Sequence, residues 1–463
     1  MTHISKLPSL RRREFLKRAS AVSVVGGAAP WALQLAAIND AAAATASPGD
    51  YRALVCVFLY GGNDYGNTVI PYDTASHQAY QAIRPTLAIG RDALAATALA
   101  PTIALPDGRQ MALAPGLSAI KPVFDAGRLG VMLNVGTLMA PTTLAQFKAA
   151  SVPLPPKLFS HNDQQSLWQS SNVEGATTGW GGRMADMMLA ANGKSALTCI
   201  NLSGNAVFQA GNSAFQYQMG AGGKPPINGV GSSLFGSSAC ASLLKSLISE
   251  ERSHAMEQEL NRITARSIDL QSTLSSALGG GASLSTAFAT DSLSQQLKMV
   301  ARLIGARSAL GTTRQVFFVS LGGFDLHDGL TSRHPQLMQQ VGGAMASFDA
   351  AMGELGMSDR VTAFTASDFG RTLSSNGDGA DHGWGSHHFV MGGAVRGGRF
   401  YGTAPSVSVN GPDDVGQGRL LPTTGVDQLA STLALWMGVP ATELRTVLPN
   451  IGNFATSDLG FMA

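Results

Sequence analysis

The chain has 463 residues and is 44% apolar, enough for one large domain or two ordinary ones with a substantial core. Only 13% of residues are charged, about half the ~25% usual in soluble domains, so its surface relies on Ser, Thr, Asn, Gln and many of its 54 glycines. Residues 1–46 carry six basic and two acidic side chains; beyond them the formal charge falls from +2 to −2, which leaves no nucleic-acid footprint.

Arg12-Arg13-Glu14-Phe15-Leu16-Lys17 reads as a twin-arginine export box. It is followed by an Ala-rich, weakly apolar stretch and by small residues suited to signal peptidase, most simply at Ala44-x-Ala46. A signal peptide over 1–46 and a periplasmic or secreted mature protein are therefore expected. No run of about eighteen apolar residues follows residue 46, so no membrane span is expected in the mature form.

Leu54–Tyr60 is a short apolar run without alternation, as expected for a strand buried on both faces of a parallel sheet. It runs into Gly61-Gly62-Asn63-Asp64. Arg128–Val135 and Leu197–Leu202 read as further strands, and Ser160–Trp168 as a helix start after a Pro-rich loop. Residues 203 to about 240 are Gly/Ser/Ala-rich and read as loop; Leu243–Leu278 and Ser292–Leu310 read as helices flanking a triple-glycine break. Val316–Leu321 leads to Gly322-Gly323-Phe324-Asp325-Leu326-His327, and Val361–Ala366 leads to Ser367-Asp368-Phe369-Gly370-Arg371, with a crossover helix at Arg333–Leu355. His388–Met391 is a short strand and Val426–Trp436 a closing amphipathic helix. The expected class is α/β, a central mostly parallel sheet flanked by helices, in one domain over 47–463 with an insertion at about 203–310.

Three cysteines make no disulfide framework. Cys56 and Cys199 lie in strand-like runs, and Cys240 in an expected loop. His77 and His254 have no partners in sequence and are expected at the surface.

Three aspartates, Asp64, Asp325 and Asp368, follow strand ends, where α/β sheets bind ligands. Taken singly, each also fits a turn residue or helix cap. Delivered together to one rim they repel each other unless a cation neutralises them. His327, His334, His382, His387 and His388 crowd the same region of sequence. Imidazole with carboxylate suits Zn²⁺, Mn²⁺ or Fe; carboxylate with water suits Mg²⁺ or Ca²⁺. One or two divalent ions are expected, with His387 as a substrate contact. Ser160 fits a helix N-cap completed by Asp163 or Gln164, or a nucleophile at a helix N-terminus; His161 would then be an acid/base or a further ligand. Arg371 is placed to grip a phosphate or sulfate, or to pair with an acid.

Phe58–Asp64, Ser160-His161, Gly323–His327, Ser367–Thr372, Asp381-His382-Gly383, Gly411–Asp414, Leu421–Gln428 and Pro449–Phe454 resemble an exported bacterial family, domain of unknown function 1501. That family is similar to the alkaline phosphatase and sulfatase superfamily, which implies a bimetal hydrolase site. Carried over by motif, the resemblance makes Asp64, Asp325, His327, Asp368 and His382 metal ligands. Phe369 stands where the superfamily often has a histidine, and Asp368 where the family commonly has Glu. The implied activity is hydrolysis of phosphate or sulfate esters, on a small-molecule or polymer substrate, with Ser160 attacking and Arg371 or Asn63 steadying the transferring group. The alternative is a non-catalytic exported binding or assembly protein acting with a companion secreted protein. No Gly-x-Gly-x-x-Gly follows a strand and no Cys-x-x-Cys-His occurs, so a redox cofactor is not expected.

Overall fold

The computed structural model describes residues 50–223, 230, 233–280 and 283–463. The expected signal peptide lies outside the described residues. The strands are β1 (Arg52–Leu59), β2 (Val69–Pro71), β3 (Met111–Leu113), β4 (Leu129–Gly136), β5 (Cys199–Asn201), β6 (Gln216–Gln218), β7 (Arg314–Leu321), β8 (Val361–Ser367), β9 (Ser386–Met391), β10 (Arg399–Tyr401) and β11 (Thr424–Gly425). The longer helices are α1 (Thr74–Ile83), α2 (His161–Ser170), α3 (Ser238–Ser249), α4 (Ala255–Gly279), α5 (Ser292–Gly305), α6 (Leu330–Glu354) and α7 (Val426–Met437).

The main sheet runs β10-β4-β9-β8-β1-β7-β5-β6, with β11 beside β4, while β2 and β3 pair separately. β1 pairs in parallel with both β7 and β8, and β9 alone runs antiparallel to its two neighbours β4 and β8. This is the expected α/β class. The unbroken apolar runs have the reason given for them. Val55, Val57 and Leu59 pack into one core with Phe317 and Val319, while Leu54, Cys56 and Phe58 pack into another with Val316 and Phe318. A strand covered on both sides has no polar face to alternate with.

Three local expectations change. Cys240 sits in helix α3, where the Ser237 side chain caps Cys240 N, so the segment is not all loop. His77 is buried, with Nε2 on the Ile89 carbonyl. Residues 203–310 are not set apart from the sheet: β6 extends its edge, and α5 buries Leu293, Leu297, Val300, Leu303 and Ile304 in the core.

Candidate metal centre

Because β8, β1 and β7 are parallel neighbours, their carboxyl ends share one rim. The three aspartates that follow them part company there. Gly61 (φ +114°) and Gly62 (φ +84°) turn the chain after β1. A Cβ at Gly61 would stand 2.3 Å from the Asp325 backbone nitrogen, so only glycine lets the two loops cross. The turn carries Asp64 inward, where its two oxygens accept from Arg84 Nη1 at 3.0 Å and Nη2 at 2.9 Å. Asp64 is therefore the partner of a buried bidentate ion pair, which corrects its assignment as a metal ligand.

Asn63 and His387 also leave the roles expected of them. The Asn63 amide donates to Thr68 Oγ1, and its carbonyl oxygen meets His334 Nε2. His387 is buried in β9, where Nδ1 accepts from the Asn134 backbone N–H and its ring meets the edge of Tyr65. Both are committed to the interior rather than to substrate.

His161, Asp325 and His382 do meet, with one ligand atom each inside 4.8 Å of the others. His161 Nε2 lies 3.1 Å from His382 Nε2, and Asp325 Oδ1 lies 3.5 Å and 3.4 Å from the same two nitrogens. His327 joins them, its Nε2 being 2.9 Å from His382 Nε2 and 3.1 Å from Asp325 Oδ1. Four donors around a tetrahedral ion with bonds near 2.0–2.1 Å stand about 3.3 Å apart. The donors of His161, Asp325 and His382 gather at that scale, while His327 is set only by its distances to His382 and Asp325.

The protonation of the rings argues the same way. His382 Nδ1 faces the Phe159 carbonyl at 2.7 Å. A carbonyl can only accept, so Nδ1 carries the proton and Nε2 the lone pair. His161 Nδ1 faces Asp368 Oδ2 at 2.6 Å, and His327 Nδ1 faces Asp381 Oδ1 at 3.3 Å. All three rings thus turn an Nε2 lone pair toward Asp325. Outer partners that fix the tautomer in this way are the habit of metal-bound histidines. Donation of its Nδ1–H to Asp368, opposed in part by burial, raises the pKa of His161. Burial lowers that of His382, opposed in part by its hydrogen bond to the Phe159 carbonyl.

Asp368 consequently stands behind the ligands rather than among them. Its Oδ2 accepts from Gly61 N–H, His161 and Gln165 Nε2, and its side chain is fully buried. A second metal position is not assembled by the described residues: Asp64 is held by Arg84, and Phe369 packs its ring 4.8 Å from both His161 and His382. Arg371 is equally buried, donating to the Gly61 and Ala380 carbonyls and to Asp325 Oδ1 at 2.9 Å. It ties three loops together and aims Asp325, so the open grip on an anion expected of it is not what it makes. Burial opposes ionisation of Asp325, but Arg371 overcomes this and holds the carboxyl below its usual range.

Ser160 caps α2 in position only; its Oγ donates to Asp163 Oδ2 at 2.8 Å instead of to the helix backbone. That hydroxyl is engaged with Asp163 rather than with any of the imidazoles, against its reading as the nucleophile. The outer partners Asp381, Gln165 and the Phe159 carbonyl were not singled out from sequence. Two of them had a signal: Asp381 adjoins His382, and Gln165 lies one helical turn beyond His161, on the same face.

The centre opens to solvent on the side of Asp325 and His327, whose side chains are 49% and 47% exposed, while those of His161 and His382 are 25% and 26% exposed. An ion there would be reachable from solution.

No curated protein matches the chain. Among solved structures it is similar to Ps i-CgsB in complex with k-i-k-neocarrahexaose, at 9% identity and a TM-score of 0.33, covering 87% of this chain and 77% of that one. It is also similar to the PsFucS1 sulfatase from Pseudoalteromonas sp., at 10% identity and a TM-score of 0.33, covering 89% and 73%. A protein described under metabolism of multiple glycosaminoglycans by Bacteroides thetaiotaomicron follows at 10% and 0.32, covering 85% and 74%. Likeness at this level says nothing about what the chain acts on. The family described as protein of unknown function, DUF1501, matches residues 51–445, nearly all of the described chain, and the protein belongs to it.

Proposed function

We propose that the protein is an exported hydrolase of phosphate or sulfate esters that works with one divalent cation held by His161, Asp325, His382 and His327. One observation carries the reading: three imidazoles, each fixed through Nδ1, direct their Nε2 atoms at the same carboxylate oxygen. Without a positive charge between them these lone pairs repel. A divalent ion in such a place supplies Lewis acidity and brings the pKa of a water near 7.

The chain's own residues do the rest. Asp368 and Asp381 keep the protons of His161 and His327 on Nδ1, Arg371 fixes the carboxylate, and Phe369 walls off one side with apolar surface. With Ser160 committed to Asp163, water is the attacking group. The absence of any long, apolar spanning helix among the described residues agrees with release into the periplasm or medium after twin-arginine export.

The test is elemental analysis of the purified mature protein beside assays on aryl phosphate and aryl sulfate esters. About one equivalent of Zn, Mn or Fe is expected, lost in His382→Ala together with hydrolysis. Metal-free protein whose unfolding is indifferent to chelators overturns the reading.

A second reading has its own observation. His327 Nε2, beside His382 and Asp325, offers a fourth protein donor as structural sites have, whereas catalytic sites usually keep a position free. That pattern favours a non-catalytic binding or assembly protein acting with a companion secreted protein. Full metal occupancy with no ester hydrolysed, and His327→Ala remaining equally inert, supports it; hydrolysis by the wild type removes it.

A further inference from the structure

We infer that Arg419 is the anion-binding residue of this centre and that its ligand class is a tetrahedral oxyanion, phosphate or sulfate. The inference rests on the metal-centre reading and adds the group that would receive the charged end of the ester.

The arginine that sequence motifs offered for this task, Arg371, is buried, with Nε and Nη1 on the Ala380 and Gly61 carbonyls and Asp325; only Nη2 is without a partner, and it is buried. Arg419 reaches the site from another loop. That loop is tied down by hydrogen bonds: Asp414 gathers the backbone N–H groups of Asn410, Gly416 and Gly418 on its carboxylate, and the Gly418 carbonyl accepts from the Leu373 N–H. Arg419 follows directly, with its N–H on the Gly416 carbonyl.

Two contacts then aim the side chain. Nε donates to the backbone carbonyl of His382 at 3.0 Å, and the guanidinium carbon sits 4.5 Å over the Phe159 ring. Phe159 is the residue whose carbonyl orients the His382 imidazole. The guanidinium is thus fixed against both residues that set one metal ligand. Its outer nitrogens, Nη1 and Nη2, make no hydrogen bond or ion pair among the described residues, although the side chain is half-buried.

A half-buried guanidinium held by its inner nitrogen, with its outer edge open and no carboxylate on it, is prepared for a bidentate oxyanion. The acids of the site cannot take that part: Asp325 is paired with Arg371, Asp368 with His161, and Asp381 with His327. Of the two arginines, Arg419 presents two adjacent unpartnered nitrogens on a half-buried side chain, whereas Arg371 has one, and it is buried.

The experiment is calorimetric titration of the metal-loaded protein with inorganic phosphate and, separately, sulfate. Wild type, Arg419→Met and Arg419→Lys are compared, each with its metal content and thermal unfolding measured. A charge-assisted bidentate contact predicts that Arg419→Met weakens binding about 10- to 100-fold with metal content and unfolding unchanged, and that Arg419→Lys falls between. Equal affinity in Arg419→Met, or a wild type that binds neither anion, overturns the inference. So does loss of metal in Arg419→Met, because the arginine would then act only by positioning His382. A wild type without metal that still binds phosphate through Arg419 separates the two claims: the hydrolase reading fails and the anion site stands.

Discussion

At the scale of single residues, Asp368 supports a ligand of the candidate cation site through a hydrogen bond rather than standing among the grouped donors. Asp368 holds the proton on His161 Nδ1 and so points Nε2 inward. Replacing it with asparagine removes the charge that fixes this tautomer, and metal affinity is expected to fall about 10- to 100-fold. Titration with a competing chelator measures this; unchanged affinity would mean that His161 needs no such support. Asp64 gives the contrasting expectation. Removing its partner in Arg84→Met leaves a buried carboxylate uncompensated, and a stability loss of about 3–5 kcal/mol is expected in denaturant unfolding. Metal content of the folded fraction should remain that of the wild type, since Asp64 does not reach the ion.

At the scale of elements, the strand-end pattern was legible because it follows from chain-local facts. A parallel strand buried on both faces is a solid apolar run, and the residues after it must reach the rim. Asp325, His327, Asp368 and His382 could therefore be brought together from sequence. The destination of each side chain could not. Whether Asp64 meets a cation or Arg84 depends on two glycines with positive φ and on an arginine at the end of α1, whose approach no local pattern records. Nor does composition reveal that Phe369 would lie against two imidazoles. The crossing of the β1 and β7 loops gives a direct check. Gly61→Ala puts a methyl 2.3 Å from the Asp325 nitrogen at a φ that alanine resists. Reduced thermal stability and reduced metal content are expected together, because the displaced loop carries a ligand. Stability lost with metal binding intact would show that the loops yield without moving Asp325.

At the scale of the whole molecule, three further histidines matter through what they refuse. His334, His387 and His388 are buried, and burial lowers their pKa values to about 4, 3 and 3. The unfolded chain takes up protons on these rings below about pH 6.5, whereas the folded chain does not. Folding stability contributed by their neutrality is thus complete above pH 6.5 and is lost as pH falls toward 4, on the order of several kcal/mol in sum. Asp427 acts in the opposite sense: burial raises its carboxyl to about 6, so its contribution is present at low pH and disappears as pH rises through that value. His382, also lowered, joins the three and His161, raised, sides with Asp427, so the lowered rings set the net sign. Urea unfolding should show stability declining from pH 7 to pH 4.5, and a flat profile over that interval would contradict the burial of these rings.

The imidazoles at the rim take their orientation from a carbonyl and two carboxylates that the fold itself supplies. Those partners come from the fold, not from an ion. A rigid nest of nitrogens ranks divalent metals by intrinsic affinity, copper above zinc and zinc above manganese, rather than by size. Under the proposed reading, supply then decides what occupies it, and the compartment in which the chain finishes folding would choose the ion.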